Sequence, residues 1–137
     1  MENPDYTLFD PERWNACIKL LCRKLEELDT VQRPASLAFH YYGRVMNGGH
    51  SSHFDSHKDA HDDELLQALR DIGANEQARI LAEARFLKRD INETIEDERD
   101  YASESIEDLD RRFYRLNPDI PELLARYFDA HRESFPK

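Results

Sequence analysis

The sequence predicts an all-α fold, organised as a single compact domain of about six helices over residues 1–137. Along most of the chain, apolar residues recur at spacings of three and four, which is the period of amphipathic helices. Only 4 residues are glycine, and the charged residues, 35% of the chain, are mostly good helix formers. The length fits one domain with a sizeable core. Residues 1–9 are polar, and we expect them to form a loosely ordered lead-in.

The first two helices are predicted from their start signals and their apolar faces. Asp10 and Pro11 fit an N-cap followed by a proline at the first helical position. The first apolar stripe is then formed by Trp14, Cys17, Ile18, Leu21, Leu25 and Leu28. After a connector at residues 30–33, Pro34 begins a second helix, and its apolar face is formed by Leu37, Ala38, Tyr41, Tyr42 and Val45. A face of this width is typical of a central helix that is buried on more than one side.

The second helix is predicted to stop at Asn47-Gly48-Gly49, because glycine accepts a positive φ angle and ends helices. We interpret these residues as a structural turn, since the strand, lysine and hydroxyl of a phosphate-binding loop are missing. Residues 47–61 form the least regular segment, and Phe54, its one large apolar residue, is expected to insert into the core. A third helix over residues 62–72 is predicted to end at Gly73, with its inward side formed by Leu65, Leu69 and Ile72.

Three further helices complete the prediction. The fourth runs from about residue 75 towards residue 100, with an inward stripe formed by Ile80, Ala84, Leu87, Ile91 and Ile95. Ser105 and Asp108 fit a variant capping box that opens a fifth helix, whose inward residues are Ile106, Leu109, Phe113 and Leu116. Pro118 and Pro121 bracket a turn before the sixth helix, which carries Ile120, Leu123, Leu124, Tyr127 and Phe128.

The charge balance narrows the classes of function. The formal net charge is -10 and the pI is about 5.0. Phosphate binding needs patches of Lys and Arg, so this balance argues against a direct nucleic-acid partner and permits a basic protein partner. No apolar run approaches the roughly 18 residues of a membrane span, and the N-terminus lacks a signal-peptide pattern. We therefore expect a cytoplasmic protein with no membrane partner, whose cysteines, Cys17 and Cys22, are reduced.

Two motifs in this chain resemble a bacterial domain-of-unknown-function family. The first is Asn47-Gly48-Gly49 with Phe54 a few residues on, and the second is Ala68-Leu69-x-x-Ile72-Gly73-Ala74. A C-terminal portion is similar too, and the resemblance covers roughly residues 35–130. The best-known member of that family is a DNA-mimic protein that binds a helix-turn-helix transcription factor, so the resemblance implies a compact helical fold and a DNA-mimic role. Members of the family usually carry an aromatic residue directly after Asn-Gly-Gly, where this chain has His50.

Acidic residues are concentrated between residues 93 and 110, where nine carboxylates stand against one base, Arg99. Glu93, Glu96, Asp97 and Asp100 follow the i, i+3, i+4, i+7 pattern, so they share a face that points to water if the fourth helix continues. Their spacing is of the same order as that of phosphates along a DNA strand, about 3.4 Å. The alternative without a binding role is a solvated helix face followed by an acidic loop. The predicted partner-binding residues are Glu93, Glu96, Asp97, Asp100, Glu104, Glu107 and Asp108.

Histidines cluster at positions 50, 53, 57 and 61, beside several aspartates. If this segment were helical, His53, His57 and His61 would lie on one face and could bind zinc or nickel. The glycines at 48–49 and the serines at 51–52 favour a loop, and no His-Glu-x-x-His pattern is present, so we interpret the histidines as polar loop residues. No nucleophile elbow or other catalytic motif is found. We therefore expect no enzymatic activity and no cofactor.

The preferred hypothesis is a non-enzymatic, acidic protein-binding module that occupies the basic DNA-binding surface of a transcriptional regulator. A related alternative is an immunity-type inhibitor of a basic toxin. Another class is a metal-binding protein or enzyme built on the segment from His50 to His61. A homodimer formed through the aromatic-rich second or sixth helix is a further possibility, and the sequence does not identify the partner.

Overall fold

The computed structural model describes the backbone of residues 10–56, 62–93 and 96–136, and the side chains of residues 10–55, 62–88 and 104–136. All regular secondary structure in these residues is helical, which confirms the all-α prediction. The predicted lead-in at residues 1–9 lies outside them. Within the described part, no helix is long and apolar enough to cross a membrane. The helices are α1 (Pro11–Leu21), a 3₁₀ turn (Leu25–Glu27), α2 (Gln32–Ser56), α3 (Asp62–Asp71), α4 (Asn75–Glu93), α5 (Glu96–Tyr114) and α6 (Ile120–Ala130).

The N-terminal helix begins as predicted and ends earlier than predicted. The Asp10 carboxylate caps α1, but the helix stops at Leu21 and the apolar stripe continues through the 3₁₀ turn to the buried Leu28. The side chain of Asp29 then accepts from the backbone N–H groups of residues 31 and 32, at 2.9 and 2.8 Å. This capping carboxylate starts α2 at Gln32, two residues before the predicted Pro34.

The core is built around α2, which packs against α1, α3, α5 and α6. Because four other helices surround it, α2 is buried on more than one side, as its wide apolar face predicted. Trp14 of α1 packs on Phe128 of α6, with 5.7 Å between the ring centroids, and so closes the N-terminal helix onto the C-terminal one. The α2 residues of its apolar face that are fully buried are Ala35, Ala38, Tyr41 and Val45.

Two predictions about the middle of the chain are confirmed. Phe54 lies in the core with 8% of its surface exposed. Gly73 ends α3 with a φ angle of 86°, and the neighbouring Ala74 N–H donates to the carbonyl of Leu69 at 2.7 Å. This is the geometry in which glycine terminates a helix, because the left-handed φ angle costs glycine little.

The boundary between α4 and α5 differs from the prediction. Helix α4 ends at Glu93, α5 begins at Glu96, and residues 94–95 lie outside the described part of the chain. The prediction that one continuous helix carries Glu93 and Asp100 on a single face is therefore wrong, because Glu93 belongs to α4 and Asp100 belongs to α5. Successive acids at residues 96–98 stabilise a helix N-terminus through its dipole, and this start signal precedes the one predicted at Ser105.

Candidate functional site

Six of the eight acidic residues of α5 share one face of the helix. Each residue turns an α-helix by about 100°, so residues 96, 97, 100, 104, 107 and 108 fall within an arc of about 120°. From the first to the last of these positions the helix rises about 18 Å. Ile106, Leu109 and Phe113 lie on the opposite side of the helix and are at most 4% exposed. These acidic positions lie on the side of the helix away from the buried residues, and we call residues 96, 97, 100, 104, 107 and 108 the α5 acidic face.

Side chains are described for the C-terminal half of the α5 acidic face. Glu104 and Glu107 are exposed, and Asp108, also exposed, pairs with Arg111 one turn later. The neighbouring Arg112 points to Glu83 of α4, with 3.6 Å between the charged atoms. The side chains of the other predicted residues, Glu93, Glu96, Asp97 and Asp100, lie outside the described residues.

Asp110, the last acid of the run, is not part of this surface. Its side chain is 15% exposed and turns inwards to the Asn-Gly-Gly turn, where Oδ1 accepts from the backbone N–H of His50 at 2.9 Å. The same oxygen lies 2.7 Å from Nδ1 of the His50 ring. A carboxylate placed at the first N–H groups of a helical segment satisfies them and complements the helix dipole. Residues 50–56 are therefore helical, and the prediction of an irregular segment is wrong at these residues.

Glycine is required at position 49 by this arrangement. Gly49 has a φ angle of 75° and a ψ angle of -174°, a conformation that only glycine adopts readily. A Cβ atom built at this position would lie 2.4 Å from Oδ2 of Asp110. Asn47 is exposed, and Gly48 is extended at a φ angle of -168°. The predicted structural turn is thus present, and it makes room for a carboxylate from a distant helix.

The His50 ring links the turn to the core. Tyr41 and His50 are both 0% exposed, and the Tyr41 hydroxyl lies 2.5 Å from Nε2 of His50. When Nδ1 donates to the Asp110 carboxylate, Nε2 of the neutral ring accepts from the hydroxyl. Burial, with the negative charge of Asp110 second, raises the pKa of Tyr41 well above its usual value, which keeps the hydroxyl protonated. Because solvent reaches neither ring, this linked set holds the turn in place and offers no open position to a substrate.

A second buried polar group surrounds His53. Nδ1 of this ring accepts a hydrogen bond from Nε of Arg44 at 3.0 Å, and Nε2 lies 3.4 Å from a carboxylate oxygen of Asp62. Since the guanidinium only donates, the ring proton must lie on Nε2, facing Asp62. His53 and Asp62 are both 0% exposed. Arg85 adds a second guanidinium to the group besides that of Arg44, with its Nε 3.8 Å from Oδ2 of Asp62. Burial is the main cause that lowers the pKa of His53, so the ring is neutral at neutral pH.

These contacts correct the interpretation of His50 and His53 as polar loop residues, because both are buried in a helical segment. They also bear on the alternative metal site. His57 and His61 lie outside the described residues, and both ring nitrogens of His53 face protein groups. Among the residues that are described, no group of three or more His, Cys, Asp or Glu side chains could hold a metal ion.

Sequence reasoning missed Tyr41, Arg44, Asp62 and Asp110 as members of these polar groups. One signal was available for Asp110, since its helical position lies beside that of the buried Ile106 and outside the arc of the acidic face. The others lacked such a signal. Asp62 begins α3 with two further acids behind it, a pattern that a solvated helix start would also show.

The fold and the site together define an all-α protein that presents a carboxylate-rich helix face beside a glycine turn held by buried polar groups. The chain belongs to the DMP19-like protein family, whose model matches residues 26–131. This family is one of DNA-mimic proteins. The resemblance found over roughly residues 35–130 is thereby confirmed at the level of the family. Among curated proteins and solved structures, no match to the chain was found.

Proposed function

We propose that this chain is a non-enzymatic DNA mimic that binds the basic DNA-binding surface of a transcriptional regulator in the cytoplasm. The observation that carries the proposal is the placement of six acidic residues within about 120° of one helix, opposite the buried side of α5. Membership of a family of DNA-mimic proteins supports the same function.

The charge density of the α5 acidic face is comparable with that of one DNA strand. Six carboxylates are distributed over about 18 Å of helix. A DNA strand carries one phosphate per about 3.4 Å, which gives about five charges over the same length. Arg111 lies on the same face of α5, and its ion pair with Asp108 offsets part of the negative charge. A basic surface that recognises phosphates is therefore offered a similar number of negative groups, and long-range attraction would accelerate its docking.

The test compares two triple variants with the same change in net charge. The first, Glu104→Gln, Glu107→Gln and Asp108→Asn, neutralises the described part of the α5 acidic face. The matched control replaces three exposed acids elsewhere with glutamine, namely Glu26, Glu27 and Glu133. The tagged proteins are used to capture partners from the native host at low and at high salt, and bound proteins are identified by mass spectrometry.

The proposal expects the parent protein and the control to retain a DNA-binding protein at low salt, and expects high salt or added duplex DNA to release it. The face variant should lose most of this binding. Retention by the face variant, or a failure of duplex DNA to compete, would refute DNA mimicry by this face. Capture of a nuclease toxin would instead identify the chain as an immunity-type inhibitor.

A further inference from the structure

A small aromatic cavity lies where α2, α5 and the start of α6 meet. Its volume is about 140 Å³, and its walls include Tyr42 and Met46 of α2 and Tyr114 of α5. Phe113, which is 4% exposed, also lines it, with its ring centroid 6.3 Å from that of Tyr42 and 6.1 Å from that of Tyr114. Three aromatic rings and a thioether from two helices thus enclose one space.

The cavity leaves unusual apolar surface in water. Among the described residues, the exposed large hydrophobic side chains are Met46, Phe86 and Tyr114, and two of these three line this cavity. Tyr114 is 48% exposed, yet its hydroxyl donates to the carbonyl of Val45 at 3.1 Å, so the ring is held in place. Fixed and exposed apolar groups around a concavity are characteristic of a binding site.

The electrostatics of the cavity favour a cation. Among the described residues that line it, Asp119 is the one that carries a charge. Its carboxylate is fixed because Oδ1 caps α6 by accepting from the backbone N–H of Glu122 at 3.0 Å. Tyr42 and Asp119 line the same space. Burial first, and the negative charge of Asp119 second, raise the pKa of Tyr42. Aromatic faces attract cations as well, through the negative potential above the ring.

We propose that this cavity binds one arginine side chain of a basic partner, with the guanidinium stacked on the aromatic rings and paired with Asp119. Arginine fits better than lysine because its guanidinium is planar, stacks on aromatic faces and is weakly hydrated. That this arginine belongs to a protein partner rests on the proposed function. The cavity also lies at the C-terminal end of α5, about 9 Å along the helix axis from Asp108, so one basic surface can reach both sites.

The binding test needs no partner protein. Nα-acetyl-arginine amide is titrated into the full chain, and its uncharged isostere, Nα-acetyl-citrulline amide, serves as the control ligand. The readout is the carbon-13 methyl resonance of Met46, since the chain contains only 2 methionines. The arginine derivative should shift this resonance saturably in the millimolar range, while the citrulline derivative should not.

Two variants test the assigned contacts. Asp119→Asn keeps a good N-cap for α6 and removes the charge, and it should weaken binding about fivefold. Tyr42→Leu, which removes one ring, should weaken it by a similar factor. Glu104→Gln changes the net charge equally at the α5 acidic face and should leave this binding unchanged. An equal response to citrulline, or an Asp119→Asn protein that binds as the parent does, would overturn the proposal. Because no partner is present, failure here leaves the test of DNA mimicry unaffected.

Discussion

Replacement of Gly49 by alanine tests the account of the Asn-Gly-Gly turn most directly. The backbone there has a φ angle of 75° and a ψ angle of -174°, which costs a non-glycine residue about 1–3 kcal/mol. The added Cβ atom would also lie 2.4 Å from Oδ2 of Asp110, so the carboxylate must move. Its two contacts with His50, at 2.9 and 2.7 Å, would then lengthen or break.

The expected loss of stability is the sum of the backbone strain at position 49 and the loss of the contacts between Asp110 and His50. A hydrogen bond that involves a charged group contributes about 1.5–3 kcal/mol, and the backbone term adds to the loss of at least one such bond. We therefore expect Gly49→Ala to lower the free energy of unfolding by about 3–5 kcal/mol. Domains of this kind are stable by only about 5–15 kcal/mol, so the loss is a large fraction of the total.

The assay is urea denaturation, followed by circular dichroism and by the fluorescence of Trp14, the one tryptophan of the chain. Gly43→Ala is the matched control, because Gly43 lies within α2 and a Cβ atom there meets nothing within 4 Å. This control should be stabilising by about 0.5–1 kcal/mol, since alanine is the better helix former. The same Gly-to-Ala change thus has opposite signs at two positions six residues apart.

A double-mutant cycle separates the clash from the backbone strain. In an Asp110→Ala background the carboxylate is absent, so Gly49→Ala should cost only the backbone term, about 2 kcal/mol less than in the parent. A loss below about 1 kcal/mol in the parent would refute the requirement for glycine. An equal loss in both backgrounds would show that Asp110 does not enforce it.

Two further predictions concern titratable groups. His53 is buried and its pKa is lowered, so the unfolded chain binds its proton first, and stability should fall as the pH drops below about 6.5, by at most about 1.4 kcal/mol per pH unit. Urea denaturation at several pH values should show this slope, and His53→Gln should reduce it. Burial, followed by the negative charges of Asp71 and Asp29, raises the pKa of Tyr127 to about 12. Because the unfolded tyrosine ionises at about pH 10, the stability that Tyr127 contributes to the folded state should be lost as the pH rises from about 10 towards 12. Tyr127→Phe removes the 2.6 Å hydrogen bond to the Val31 carbonyl and should cost about 1 kcal/mol near neutral pH, as measured by thermal denaturation.

Much of the fold could be predicted from the sequence, because the period of the apolar residues records which side of each helix is buried. The inward residues Leu65, Ile106 and Leu124 are buried as expected. Helix boundaries could be predicted less well, since they depend on local capping groups that compete with one another. Asp29 begins α2 before Pro34 does, and α5 begins at Glu96, before the start predicted at Ser105.

The polar interior could not be predicted for a different reason. The helical segment after Gly49 depends on a carboxylate that lies sixty residues away in the sequence, at Asp110. Local pattern reasoning sees two glycines, two serines and several histidines there, and all of these indicate a loop. The His53 group has the same character, because Arg44, Asp62 and Arg85 come from three different helices.

The contrast between Asp108 and Asp110 shows why a count of carboxylates does not describe the acidic surface. Two positions along a helix correspond to a rotation of about 200°, which separates the exposed Asp108 from the largely buried Asp110. Asp110 contacts the glycine turn, and Tyr114, one turn later, binds the carbonyl of Val45 across the same helix pair. These two contacts, together with the buried side of α5, fix the rotation of the helix about its own axis. The turn therefore does more than stabilise the fold, because the direction in which the α5 acidic face points depends on it.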